Sequence, residues 1–438
     1  MSTHGRIDVA TPVEPLQSSR IFTDLTARSF LLDRLPPAGM PRKTLSSRLI
    51  DAAQLEPPEA VSECLPPMLR QRYALSRAFA PTAAELVVAE RMLTMIWLAT
   101  AAYGESLADI NRTYLRAVGW GGWGHRELAR SNAVHAIPQS MLVTAPCTMQ
   151  VVKLLRAMQA MIGPFFEHKH VFERLADGSI HESPASIEQI GLLPVRMPER
   201  PYPADLYLNI CDAIDDIEDT QLFRSERFTN IRAQEGHLRQ VLAGLHVGLL
   251  AVYGVNSHHL SAGLTSVWGL LQKVRDWGVP VAVFATSAIV HSPLTAAFCH
   301  LFPEQCYEIS SLGPADARAT IAQYWSALGL TGEAPGEMFD VANQCFGQRD
   351  WIEAALTEYL SLLHNESRDA ADRALSDLYL VNCRGAAAVP FACWKHFTTT
   401  GARPLQSLQA RELRDWFPVA MTKDSVLAYA SPKRRKGS

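Results

Sequence analysis

Five short apolar segments rich in β-branched residues recur through the middle of the chain, at 141–144, 192–195, 249–255, 279–285 and 307–310. Runs this short and this continuously apolar read as strands buried on both faces. Between and after them the apolar residues fall at helical spacing, which predicts helices over 151–162, 204–217, 237–245, 265–277 and 294–302. Strands separated by helices are joined by crossover connections, and such connections make neighbouring strands parallel. The expected fold class is therefore α/β, a doubly wound sheet in three layers.

Around this sheet the chain divides into further regions. Residues 1–80 carry Pro12, Pro15, Pro36, Pro37, Pro41, Pro57, Pro58, Pro66 and Pro67 between short apolar stretches, which suits an arm facing a partner. Thr82 and Glu85 form a capping box ahead of Leu86, Val87, Leu93, Ile96 and Trp97, predicting a helix over 82–103. From 314 to 364 the pattern is helical, punctuated by Gly329, Gly332, Pro335 and Gly347, and predicts a small helical subdomain. After Asp372 the signals weaken, and Lys433, Arg434, Arg435 and Lys436 form a flexible basic tail. The expected boundaries are an arm at 1–80, an α/β domain at 81–310, a lid at 311–366 and an extension at 367–438.

Composition removes several function classes. With 41 basic and 44 acidic residues the net charge is −3, so any contact with DNA must be local. The apolar run 92–102 is half a bilayer span, so no membrane segment is expected, and the first residues lack the order of a secretion signal. A cytoplasmic location is expected. The eight cysteines show no Cys-x-x-Cys pair, which leaves reduced core thiols rather than zinc ligands or disulfides. The absence of a G-x-S-x-G elbow removes support for covalent catalysis.

Several blocks, taken in order, resemble the TnsC/TniB family of AAA+ regulators of DNA transposition. LLDRLPP at 31–37 is similar to that family's N-terminal block. MLVT followed by VVKLLRAM is similar to its first strand and helix, and 237–261, with its trailing HLS, to its Walker B segment. GVPVAVFAT at 278–286 is similar to its fourth strand, which ends on the polar sensor residue, here Thr286. The resemblance covers about 30–365 and implies a P-loop nucleoside-triphosphatase sheet with a helical lid and an N-terminal arm. Active members assemble on DNA with ATP and join target selection to the transposase.

The groups that grip triphosphate are missing from the matching positions. A phosphate loop needs glycines, a lysine on the β and γ phosphates and a hydroxyl on magnesium. Here Thr144, Cys147 and Met149 stand for the glycines, Gln150 for the lysine and Val151 for the hydroxyl residue, while Pro146 lacks an N–H. The 249–263 stretch has no carboxylate to hold magnesium or orient water, whether the Walker B pair aligns with Tyr253 and Gly254 or with Val255 and Asn256. Between 291 and 310 there is no Arg or Lys to act as an arginine finger.

The resemblance then implies a non-hydrolysing pseudo-ATPase, an adaptor in the transposition machinery of a mobile element. No cofactor is expected. Its partners would be the transposase, a TnsC-type ATPase or a target-selection protein, with double-stranded DNA and homo- or hetero-oligomers as further possibilities. The alternatives are an active ATPase regulator, binding ATP and magnesium in an unconventional pocket with Thr286 as sensor, or a DNA-binding or host-defence module.

Other constellations are weighed on their own residues. The G-x-G-x-x-G at 119–124 follows a helical pattern rather than a strand, which removes the dinucleotide reading. Trp120 and Trp123 on that loop either pack locally or stack on a partner or base, and the tail at Lys433, Arg434, Arg435 and Lys436 either touches phosphate or is solvated. His168 and His170, with Glu167, are read as a surface pair rather than as metal ligands, and His258 and His259 likewise. Asp212, Asp215, Asp216 and Asp219 share one helical face, read as solvated.

Overall fold

The computed structural model describes residues 30–54, 66–103, 139–146, 148–174, 179–219, 230–290, 292–303, 306–366, 368–384, 388–400 and 414–416. Trp120, Trp123, Cys147 and the basic residues Lys433, Arg434, Arg435 and Lys436 lie outside these.

A five-stranded parallel sheet is formed by β1 (Ser140–Thr144), β4 (Leu193–Arg196), β5 (Leu250–Val255), β6 (Val281–Ala285) and β7 (Tyr307–Glu308). Its order is β4-β5-β6-β1-β7, so β1 lies inside the sheet and its chain neighbour is distant. Each of the five apolar segments becomes a strand. Alternation along each strand splits the residues into two cores. Leu142, Leu250, Val252, Val281 and Val283 pack with α5 (Pro203–Glu218), α6 (Ile231–Gly244) and α7 (Ala262–Asp276) on one face. Met141, Val143, Ala251, Ala282 and Phe284 pack with α1 (Arg42–Ala53), α3 (Ala83–Ala101) and α4 (Thr148–Ile162) on the other. This is the expected three-layer α/β domain.

α3 starts on its capping box: the Thr82 hydroxyl accepts from Glu85 N at 3.2 Å, and a Glu85 carboxylate oxygen accepts from Thr82 N at 2.7 Å. α6 begins earlier than its periodicity predicts because Asn230 caps it, accepting from Ala233 N at 2.8 Å. The helix expected over 294–302 shortens to Pro293–Ala296, and hydrogen-bonded turns follow.

Three features depart from the sequence reading. First, residues 30–53 of the proline-bearing segment pack within the chain. Leu32, Leu35, Leu45 and Leu49 belong to the core under α3 and α4, and Trp97 Nε1 donates to Pro36 O at 2.6 Å. The LPP block thus anchors the segment to α3. Second, β2 (Phe166–Arg174) and β3 (Ile180–Gln189) form a separate antiparallel ribbon. Their polar alternation, with Pro184 inside β3, hides them from an apolar-run criterion.

Third, the helical subdomain does not end at 366. α10 (Pro314–Ala327), α11 (Gly336–Gln344) and α12 (Arg349–Asn365) share one core with Ala371, Leu375 and Leu378, and with Phe391 and Trp394 of α14 (Ala388–Thr400). Leu75 of α2 (Pro67–Arg77) joins the same core from the N-terminal side. A tight turn at Gly347 (φ +66°) seats the lid, for a Cβ there would stand 2.2 Å from Leu312 O. None of the described helices is long and apolar enough to cross a membrane.

Candidate functional site

In an open parallel sheet, ligands bind outside the carboxyl ends of the strands, where neighbouring connections diverge. Here that rim is built from the turn after β1, the ends of β5 and β6, and the lid above them.

The β1–α4 turn is drawn into the protein. Ala145 N donates to Ala285 O at 3.1 Å, and Ile309 N to Thr144 O at 2.7 Å. The Thr144 side chain is 1% exposed and its hydroxyl donates toward Tyr307 O, with the Cys306 thiol 3.7 Å away. Desolvation pushes the Cys306 thiol pKa up, so it is a neutral packing group. Met149 and Gln150 lie in the first turn of α4, and Val151 sits in the core with Met141 and Leu154. A hydrocarbon side chain has no lone pair to offer a metal ion.

The lysine on α4 is Lys153. Its ammonium points into the lid. It donates to Leu75 O and Ala78 O, both at 3.0 Å, pairs with Glu353 of α12, and stands 4.7 Å over the Tyr324 ring. Tyr324 in turn donates to Glu353 at 2.6 Å. Desolvation pulls the Lys153 pKa below the ordinary lysine value, against the opposing pull of Glu353. An ammonium with these partners is committed to protein.

A second buried cation closes the same interface. Arg349, at the start of α12, holds Glu85 of α3 through two contacts, Nη1 to Oε1 at 2.5 Å and Nη2 to Oε2 at 2.8 Å. It also donates to Ala80 O and covers the Phe79 ring at 5.1 Å. Both side chains are essentially inaccessible, at 1% and 0% exposure. Burial alone would lower the Arg349 pKa, but Glu85, Tyr324 and Glu353 turn the net shift upward, so the guanidinium stays charged. Glu85 thus serves two ends at once, capping α3 and gripping the lid.

The ends of β5 and β6 carry the remaining polar groups. β5 bulges at Gly254 (φ +80°), where pairing with β6 slips between Val252 and Val255, and it ends at Val255. Neither Tyr253 and Gly254 nor Val255 and Asn256 supplies an acid. Asn256 caps the short Ser257–His259 turn instead, accepting from His258 N at 3.1 Å, while Asn256 N donates to His259 Nδ1 at 3.0 Å. With Nδ1 accepting, Nε2 of buried His259 donates to Pro198 O at 3.1 Å, and burial lowers its pKa. His259 is therefore a neutral bracket between two segments of backbone.

A carboxylate does reach this rim, but from far along the chain. Asp415, in the Arg414–Trp416 turn, accepts from Ser257 N at 2.9 Å and from Ser257 Oγ and Thr286 Oγ1, both at 2.5 Å. Thr286 is the residue after β6, it is 1% exposed, and its amide donates to Val255 O at 2.9 Å. Beside it the Trp416 ring stacks on Trp351 with centroids 6.0 Å apart and planes at 13°. Trp394 Nε1 donates to Trp416 O at 3.1 Å.

Thr144 and the residue after β6, Thr286, end neighbouring strands at the rim, while Val151 sits in the core. The sequence reading missed Lys153, Glu85, Arg349, Glu353 and Asp415. An ionisable pair of residues hundreds of positions apart leaves no periodic trace. The one usable signal was Glu85, already named as half of a capping box.

The remaining constellations are distributed differently. His168 is buried, bonded to Gln189 Oε1 at 2.9 Å and set edge-on to Phe30, not a surface residue. His170 is exposed and pairs with Glu182 at 3.0 Å, and a register shift between the two histidines separates them. Asp215 is 2% exposed and Asp219 leaves the helix in the left-handed region (φ 53°), so the four aspartates do not form one solvated face. Among the described residues no group of three or more His, Cys, Asp or Glu side chains could hold a metal. The chain matches no protein-family model and no curated protein.

Proposed function

We propose that the chain is a non-hydrolysing AAA+-like adaptor of the transposition machinery of a mobile element, which responds to protein partners rather than to nucleotide. The strand order β4-β5-β6-β1-β7 suits a P-loop type of sheet, with the first strand inside it and the β1–α4 turn beside the end of β6.

The observation that carries the non-hydrolysing part is the fate of Lys153. The lysine of α4 is spent on Glu353, Leu75 O and Ala78 O, which joins α4 directly to the lid and to the end of α2. With Val151 in the core and Thr286 bonded to Asp415, the residues present do not fit ATP and magnesium. A triphosphate would bring about four negative charges to a rim that already holds a carboxylate, and like charges a few ångströms apart oppose one another. The link to transposition rests on the order of resembling blocks, and a lid held in one position suits a part that is recognised by partners.

Titration calorimetry with ATP and magnesium is expected to give no binding heat, and the purified protein no phosphate release above buffer. Turnover that disappears when residues 144–151 are altered would overturn the non-hydrolysing reading. Co-purification with the transposase or the TnsC-type ATPase of the same element is the expected positive result. Failure to bind either would overturn the adaptor reading.

A further inference from the structure

We propose that the carboxyl ends of β5 and β6, together with the adjoining aromatic wall of the lid, form a peptide-binding site for an acidic residue followed by an aromatic one. The site is filled in cis by Asp415 and Trp416, and opens to a partner segment of the same chemistry when that turn lifts. The inference does not depend on the transposition reading, because it uses only the contacts of the turn.

The site has two parts, and each is specific for one side chain. The first is a set of three donors, the Ser257 amide and the hydroxyls of Ser257 and Thr286, converging on one carboxylate. All three point hydrogen at the oxygens of Asp415, and a carboxylate accepts from all of them, whereas an amide side chain would bring its own N–H groups against donors. The second part is aromatic. Trp351 and Trp394, both largely buried, offer a ring face and an indole N–H, and Trp416 answers with its own ring and its carbonyl. Adjacent residues on one turn therefore meet two different elements, the strand ends and the lid.

The turn is built to be displaced more easily than the core. Asp415 and Trp416 are only half-buried, and Arg414–Trp416 is one turn of three residues. Among the described residues its polar attachments are the Asp415 carboxylate and the Trp416 carbonyl, with the Trp416 ring laid on Trp351. The partner donors stay in place without it, because Thr286 N is bonded to Val255 O and Asn256 is bonded to His258 and His259. A receptor that keeps its shape while its occupant can leave is what competition in trans requires.

The test uses the full chain and a labelled synthetic peptide with the sequence of residues 411–419, followed by fluorescence polarisation. In the wild-type chain the resident turn competes at high effective concentration, so the peptide is expected to bind weakly. In the Asp415→Ala chain it should bind at least about tenfold more tightly. A peptide with Ala at the aspartate position, or a receptor chain that also carries Thr286→Val, should lose about tenfold of that gain. Equal binding to the wild-type and Asp415→Ala chains, no binding to either, or indifference to the peptide's aspartate would each overturn the proposal.

A second measurement covers a poorly folded variant. In the Asp415→Asn chain, hydrogen exchange at the Ser257 amide should speed up about tenfold or more while amides of β5 and β6 stay protected. An unchanged Ser257 amide would overturn it as well.

Discussion

The lid interface and the strand-end rim each join residues far apart in the chain through charge, yet they are built on opposite terms. At the lid, Arg349 and Glu85 are fully enclosed and Lys153 with Glu353 nearly so, and each cation also takes at least one backbone carbonyl and an aromatic face. At the rim, Asp415 meets only neutral hydroxyls and an amide and is partly exposed. Enclosed ions punish the loss of one partner, since the survivor cannot be hydrated. Half-exposed ones do not, because water takes the place of the missing group. The first arrangement therefore suits a permanent joint and the second a contact that can open.

The largest effect should come from Arg349→Met, which strands the Glu85 carboxylate in the core. It is expected to cost about 3–5 kcal/mol of unfolding free energy, read from denaturant melts. Pairing it with Glu85→Gln should recover a good part of that loss, because no lone charge remains. A cost under about 1 kcal/mol for the single change would break the contrast, since that is the range of an exposed pair.

Lys153→Met is expected to cost less, about 1–3 kcal/mol near neutral pH, because Glu353 keeps some exposure. Its pH dependence sharpens the comparison. Burial lowers the folded-state pKa of Lys153, so the cost of a buried ammonium is present in full below that folded value. As pH rises from the folded value toward the ordinary lysine value, the unfolded chain holds more protons and this group's contribution becomes more favourable. Measured against Lys153→Met, whose neighbours Glu353, Tyr324 and Arg349 are unchanged, the wild type should gain relative stability across that alkaline window. A difference that stays flat would mean the ammonium is not desolvated.

At the rim, Thr286→Val should lower global stability by only about 1 kcal/mol, since one hydrogen bond to a half-exposed carboxylate is lost. It should nevertheless release Trp416, seen as faster hydrogen exchange at the Trp394 indole, whose N–H donates to Trp416 O. A loss of several kcal/mol would place the rim with the lid as a fixed joint.

The smallest effect belongs to Glu218 at the end of α5. Desolvation, with Glu188 and Asp215 nearby, pushes its pKa up to about 7. The folded chain then holds an extra proton between the ordinary glutamate value and about 7, and the stability this gives is lost as pH rises through that window. Glu218→Gln should thus gain about 1 kcal/mol over the wild type at pH 8 and nothing at pH 4, the figure being held down by partial exposure.

The strands at 141–144 and 279–285 were plain because burial on both faces writes itself into consecutive apolar residues. The Thr82–Glu85 box was plain because its partners are three residues apart. The β2–β3 ribbon was not, since a strand with polar residues on both sides carries no apolar run. Likewise the share of residues 30–53 in the core was hidden by their prolines, which signal irregular backbone without saying what the leucines beside them touch. His168 illustrates the same gap, because spacing alone placed it on a surface and Gln189 and Phe30 enclose it.

By itself the amino-acid sequence determined the layers: which segments become strands of the parallel sheet, and which helices cover them. These are local properties, set by period, capping and side-chain chemistry within a few residues. Only the tertiary structure decided where the charges go. That Lys153 turns to the lid, that Arg349 meets Glu85 across 264 positions, and that Asp415 reaches Thr286 across 129 are outcomes of chain closure. An ion or a donor is indifferent to sequence distance, and what fixes its partner is which groups the packed cores leave facing each other without water.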